Sequence, residues 1–301
     1  MPHFDIIANL GSELGEGPIW DTQKQQLWWT DIFGGFVYCY NPVSEKLETV
    51  IEGHQIAGFS LNEPGGLICA HLNDGLQLWT EKGGFKLIAK EFEGIELAFN
   101  DSTADANGRY YICSKYYDPD NADYRLGKLY QVGNDGSISI RDEGLHLGNG
   151  MGFSPDNRTF YLADSVARKI YAYDFDLASG VFSNKRTLIT LKEQDGLPDG
   201  LTVDAAGFIW CAMWYGSCVI RFDPEGREER RLPTPMKQTS SVMFGGADLT
   251  DLYITTAGMS WRSHLAPAGY DFNASNIGGP VYRYRADIMG KVEYKADVSP
   301  A

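Results

Sequence analysis

Cysteine, histidine and basic charge are all scarce in this chain, and each shortage removes a class of function. The five cysteines are an odd number with no C-x-x-C pair, so neither a disulfide framework nor a thiol redox motif is expected. Cys69, Cys113 and Cys211 fall at matching places in a repeated pattern, as small core residues would. The five histidines, His3, His54, His71, His146 and His264, show no H-x-H or H-x-x-x-H spacing, which argues against a zinc site of the common type. Acidic residues outnumber basic ones, leaving a net charge of −14, the wrong sign for a nucleic acid or an anionic membrane. No apolar run approaches the roughly 18 residues of a membrane-crossing helix, and residues 1–10 carry neither a basic nor a long apolar region. A soluble cytoplasmic protein is the expectation. A G-x-S-x-G elbow is also missing, and no Ser-His pair stands out, so an acyl-enzyme mechanism is unsupported.

What the chain does contain is a repeat. Leu197-Pro198-Asp199-Gly200-Leu201-Thr202-Val203-Asp204, followed by Ala205-Ala206-Gly207 and then Phe208-Ile209-Trp210-Cys211-Ala212, places an apolar segment, a polar turn and a second apolar segment in succession. The same order recurs at Ile19–Asp31, Phe59–Ala70, Ala104–Ser114, Phe153–Asp164 and Met243–Thr255. Anchored on Asp21, Leu61, Asp105, Ser154, Asp204 and Gly245, the units stand 40 to 50 residues apart, the size of a four-stranded propeller blade. Outer segments such as Leu47-Glu48-Thr49-Val50 alternate apolar and polar, as half-buried strands do. The expectation is an all-β, six-bladed β-propeller with a central metal site, a single domain over residues 1–301. An irregular β-sandwich is the alternative that the regular spacing disfavours. Closure of the ring is expected from Phe4–Leu10, pairing with a blade built from Val281–Tyr284 and Val292–Tyr294.

In a propeller the residues leading into each first strand meet at one end of the channel. Four repeats place a carboxylate or an amide there: Glu16 in Gly15-Glu16-Gly17-Pro18, Asn100 in Phe99-Asn100-Asp101, Asn149 in Gly148-Asn149-Gly150, and Asp199 in Pro198-Asp199-Gly200. Pro198 and Gly200 suggest that Asp199 is held in a tight turn. Singly, each motif is ordinary turn chemistry. Together they form an all-oxygen set suited to one hard divalent cation, Ca²⁺, Mn²⁺, Mg²⁺ or Zn²⁺.

These motifs, with Ser240-Ser241-Val242-Met243-Phe244-Gly245-Gly246, resemble in order the signatures of the regucalcin/gluconolactonase family, also called the senescence marker protein and luciferin-regenerating enzyme family, over about residues 12–285. The resemblance implies a six-bladed propeller with one divalent cation held by Glu16, Asn100, Asn149 and Asp199. It also implies hydrolysis of a sugar-acid lactone, a small-molecule substrate, with Asp199 serving as both ligand and general base. Two family features are missing: Ala98 stands where an Arg is common, and Ser102-Thr103-Ala104 follows Asn100-Asp101 without the usual basic residue. The metal set is therefore intact while the sugar-binding wall differs.

For substrate contacts the candidates are Asn100, Tyr116 and Asp118 in the long loop Lys115–Tyr124, and Trp214 in the fifth repeat. Two other readings keep the same four ligands: a calcium- or ligand-binding propeller without turnover, and a hydrolase of other esters or organophosphates.

Overall fold

A computed structural model of the chain describes residues 2–118, 121, 123–259 and 261–300. Six four-stranded antiparallel sheets surround a central channel as the blades of a propeller. In blades one to five the strands follow chain order from the axis outward; blade one, for example, runs Gly15–Asp21, Gln26–Asp31, Phe36–Asn41, Lys46–Glu52. The innermost strands touch one another in a closed ring. Those of blades two, four, five and six are buried along their whole length, because sheets lie on both sides of them. The outer strand Lys46–Glu52 is mostly exposed, which matches its alternating sequence. The core lies between blades and is rich in rings, among them Trp29, Trp210, Tyr110, Tyr111 and Phe153, all fully buried. All five cysteines are free and buried in it.

The ring closes with its own N-terminal segment. Asp5–Ala8 forms the outer strand of blade six, in the order Asp5–Ala8, Val281–Arg285, Asp251–Thr256, Thr239–Gly245. It pairs Asp5 with Arg283 and Ile6 with Tyr282, and the Arg283 guanidinium meets Asp5 at 2.7 Å. The expected part for Val292–Tyr294 is corrected: these residues are not a strand of that blade. They belong to a C-terminal strap that crosses the end of the channel where the inner strands finish. Gly290 bridges to Asp204, Glu293 accepts from Thr202 Oγ1 at 3.1 Å, and the Tyr294 hydroxyl accepts from Asn157 at 2.9 Å. Val298 exchanges two hydrogen bonds with the Asn62 side chain, and Ser299 N–H reaches the Asn134 carbonyl at 2.8 Å. The segment therefore spends its backbone polar groups on other blades instead of on a sheet.

Deleting residues 1–8 leaves Val281–Arg285 as an unpaired edge and uncovers the core around Ala8. We expect a fall in melting temperature of about 5 °C or more, since 1 kcal/mol is worth roughly 2–4 °C in a chain of this class. Calorimetry of the truncated protein checks this, and an unchanged melt would refute closure as a source of stability.

Among the described residues the single helical element is the short 3₁₀ turn Glu193–Asp195, and no helix is long and apolar enough to cross a membrane.

Candidate functional site

The four residues singled out from the repeat converge at the channel mouth opposite the strap, where they line one cavity of about 230 Å³. Their backbone setting differs from the expected turn. Asp199 lies inside the strand Leu197–Val203, at a break in register between Pro198 and Leu201. Glu16, Asn100 and Asn149 lie at the same kind of break, Glu16 to Ile19, Phe99 to Ser102 and Gly148 to Met151. An irregular ladder of this kind re-aims a side chain, and here it turns each one toward the axis. Blades two and six carry the corresponding break at Ala57 and Ser240, which bring no carboxylate or amide. Gly150 and Gly200 serve close approach instead of a turn: a Cβ on Gly150 would collide with the backbone of Leu201, and one on Gly200 with Ser241.

Two further aspartates fix the entry to these strands. Asp31, at the end of the second strand of blade one, accepts from the N–H groups of Glu13 at 3.1 Å and Leu14 at 2.9 Å, just before Glu16. Asp164 does the same in blade four for His146 at 2.9 Å and Leu147 at 3.0 Å, just before Asn149.

Within the cavity the hydrogen bonds orient the side chains. The Asn100 amide donates to the Gly148 carbonyl at 3.0 Å, so its own carbonyl end is turned away from that contact. The Asn149 amide donates to Asp199 Oδ1 and to Ser165 Oγ, and Ser165 in turn donates to the Pro198 carbonyl at 2.7 Å. Glu16 and Asp199 are buried. Burial first, then the charges of Asp199 and Asp101, pushes the Glu16 carboxyl well above the usual carboxylate range; burial and then Asp101 do the same to Asp199. Buried carboxylates of this kind call for a cationic partner. Among the described residues no three His, Cys, Asp or Glu side chains cluster, and the cavity brings together two carboxylates and two amides.

Lys115, which sequence reasoning passed over, lines the same cavity. Burial pulls its ammonium pKa down while Asp199 and Glu16 hold it up. Its backbone N–H donates to the carbonyl of Ala98 at 2.8 Å, so a cationic side chain enters from the strand facing position 98, where the family resemblance leads one to look for an Arg. Tyr117 also lines the cavity, whereas Tyr116 and Asp118 do not. Those two border a separate surface depression, and the Tyr116 hydroxyl is spent on the Glu96 carbonyl at 2.9 Å. Alternate residues thus face different sides, Lys115 and Tyr117 toward the cavity, and Tyr116 and Asp118, expected from the sequence as substrate contacts, toward the depression. Trp214 does line the cavity, joined by Phe33, Met259 and Trp261. The last two sit in the segment 257–280, inserted between the second and third strands of blade six; its length and its Trp are the signals that mark it.

The geometry matches a known group of proteins. Residues 14–258 match the family described as the SMP-30/Gluconolactonase/LRE-like region. The pentonolactonase XacC of Haloferax volcanii is 32% identical over 292 residues, which cover 97% of each chain. Regucalcin of Xenopus laevis is 31% identical over 283 residues, covering 91% of this chain and 95% of its own. The structure of a luciferin-regenerating enzyme superposes with a TM-score of 0.87 at 26% identity, over 99% of this chain and 100% of that one. A family match over residues 14–258, with a relative 32% identical over 97% of the chain, means that this chain belongs to the SMP-30/gluconolactonase/LRE-like family.

Proposed function

We propose that the protein is a divalent-cation-dependent hydrolase that opens sugar-acid lactones, with Asp199 as the general base. Lactone hydrolysis follows from membership of a lactonase family and from the pentonolactonase relative. The observation that carries the residue assignment is the convergence of two buried carboxylates and two amides on one small cavity.

Glu16, Asn100, Asn149 and Asp199 would hold the cation. When bound there, it would supply Lewis-acid polarisation of the lactone carbonyl. The protein's own groups do the rest. Asn149, oriented by Ser165, fixes Asp199 through Oδ1 and leaves Oδ2 to take a proton from water. The water oxygen bonds to the carbonyl carbon, the ring C–O bond breaks, and the proton on Asp199 passes to the departing ring oxygen, giving the hydroxy acid. Lys115 provides a donor for the negative charge that builds on the carbonyl oxygen. That lysine also favours turnover over passive cation storage, because a site built only to hold a cation gains nothing from an ammonium group beside its carboxylates.

Chelation followed by dialysis should abolish hydrolysis of five- and six-membered aldonolactones in a pH-indicator assay, and added Ca²⁺, Mn²⁺, Mg²⁺ or Zn²⁺ should restore it. Full activity in metal-stripped Glu16→Ala protein would sink the cation requirement. Ester or organophosphate hydrolysis with no lactone turnover would move the substrate class elsewhere. Lys115→Met should lower kcat/KM by roughly tenfold or more, as expected for loss of a charged donor, and Lys115→Arg should recover part of it. Unchanged kinetics in Lys115→Met would remove the lysine from the reaction.

A further inference from the structure

The cavity is divided by polarity. Its polar floor is the carboxylates and amides with Lys115 and Ser165; its apolar wall is Leu14, Phe33, Leu147, Leu197 and Met259 with the rings of Tyr117, Trp214 and Trp261. Among the described residues that wall carries no carboxylate, amide or guanidinium side chain, and its polar side-chain atoms are the Tyr117 hydroxyl and the indole N–H groups of Trp214 and Trp261.

The wall is also fixed in place. Trp261 stacks on Tyr215 with ring planes 17° apart, the Tyr215 hydroxyl donates to the Trp261 carbonyl at 2.6 Å, and Tyr215 packs edge-on against Tyr270 at 4.7 Å. Trp214 meets Trp261 edge-on at 6.2 Å, and Leu147 and Leu197 are buried behind the rim.

We propose that the preferred substrate is a small lactone whose carbons remote from the ester bear hydrogen or methyl instead of hydroxyl or hydroxymethyl groups: a deoxy-sugar lactone or a simple alkyl γ- or δ-lactone. The proposal rests on the lactonase reading and narrows it. With the ester over the polar floor, the far edge of the ring lies against the apolar wall. A hydroxyl placed there meets carbon everywhere but at the Tyr117 hydroxyl and the indole N–H groups, whereas a methyl group gains apolar contact. Apolar pockets discriminate against an added hydroxyl by roughly 10- to 100-fold, which sets the expected size of the effect.

The test compares, on the metal-replete protein, a pentono-1,4-lactone with its 5-deoxy counterpart of the same configuration. The deoxy lactone should show a kcat/KM about 10-fold or more higher. Met259→Gln puts a hydrogen-bonding group on the rim at a half-buried position and should shrink that preference; Trp261→Ala, which opens the wall, gives a second variant should the first fail to fold. A parent lactone hydrolysed equally well or better by wild type would overturn the substrate class and leave lactone hydrolysis standing. If neither lactone is hydrolysed by protein that binds the cation in calorimetry, the lactonase reading fails and the proposal falls with it.

Discussion

Asp199→Asn should lower kcat for lactone hydrolysis by roughly 10² or more, the loss expected when a general base is removed, while much of the cation affinity survives. The substitution is nearly isosteric, and it retains a side-chain oxygen for a metal as well as the volume of the original residue. What it loses is the ability to accept a proton at Oδ2. The Asn149 amide that donates to Asp199 Oδ1 can still donate to the amide oxygen that the substitution leaves in that place, so the orientation of the side chain should persist. Gly200 and Ser241, packed closely beside it, are unaffected. Metal titration by calorimetry beside lactone hydrolysis, on the same preparations, separates the two roles. A mutant with metal bound and near wild-type kcat would take Asp199 out of the proton transfer. A protein that only stores a cation would show weakened binding and no rate to lose.

The sequence disclosed the ring because every blade repeats the same alternation of apolar strand and polar turn at a nearly constant period. It disclosed the four mouth residues because a carboxylate or an amide beside a Gly or Asp recurs at the same phase of four repeats. Local motifs did not distinguish a turn from a bulge: Pro198-Asp199-Gly200 suits either, and only the neighbouring inner strand shows that Gly200 is needed for close approach to Ser241. The facing of Lys115 to Asp118 was hidden for a different reason. A two-residue alternation can be read either way until a contact fixes its phase, and that contact, Lys115 N–H to the Ala98 carbonyl, is a tertiary one. The wall supplied by Met259 and Trp261 comes from an insertion outside the repeat, where periodicity carries no information. The strap was misassigned because its alternation resembles an outer strand, although its partners lie on several blades.

The largest expected loss of stability comes from the other end of the strand that carries Asp199. Asp204 is fully buried and saturated: it accepts from Arg221 Nε at 2.9 Å and Nη2 at 2.7 Å, from Trp210 Nε1 at 2.9 Å, and from the N–H groups of Ala206 at 2.9 Å and Phe208 at 3.0 Å. It thus closes the hairpin between the first two strands of blade five, and it compensates a guanidinium that lies over the Phe208 ring, 3.7 Å from its centroid. Blade three repeats the device with Asp105, which holds Arg109 Nε at 2.7 Å and the Tyr111 hydroxyl at 2.9 Å. Asp204→Ala removes the acceptor and leaves Arg221 buried with Glu229, at 3.1 Å and partly exposed, as its remaining acidic partner. Breaking a buried pair from one side costs roughly 3–5 kcal/mol, and the orphaned indole and turn N–H groups add to it. Replacing both members, as in Asp204→Leu with Arg221→Met, should recover a good part of the loss, because no charge is then left stranded. Urea unfolding of the single and double variants measures both quantities. A single variant within about 1 kcal/mol of the parent would show that water or a rearranged Glu229 satisfies Arg221, and would reduce Asp204 to a turn residue. Where the single variant remains folded, its kcat should stay close to that of the parent. The strand Leu197–Val203 is anchored at its foot by Asp204 and carries its chemistry at its head, so loss of the anchor acts on the folded population and not on the proton transfer at Asp199.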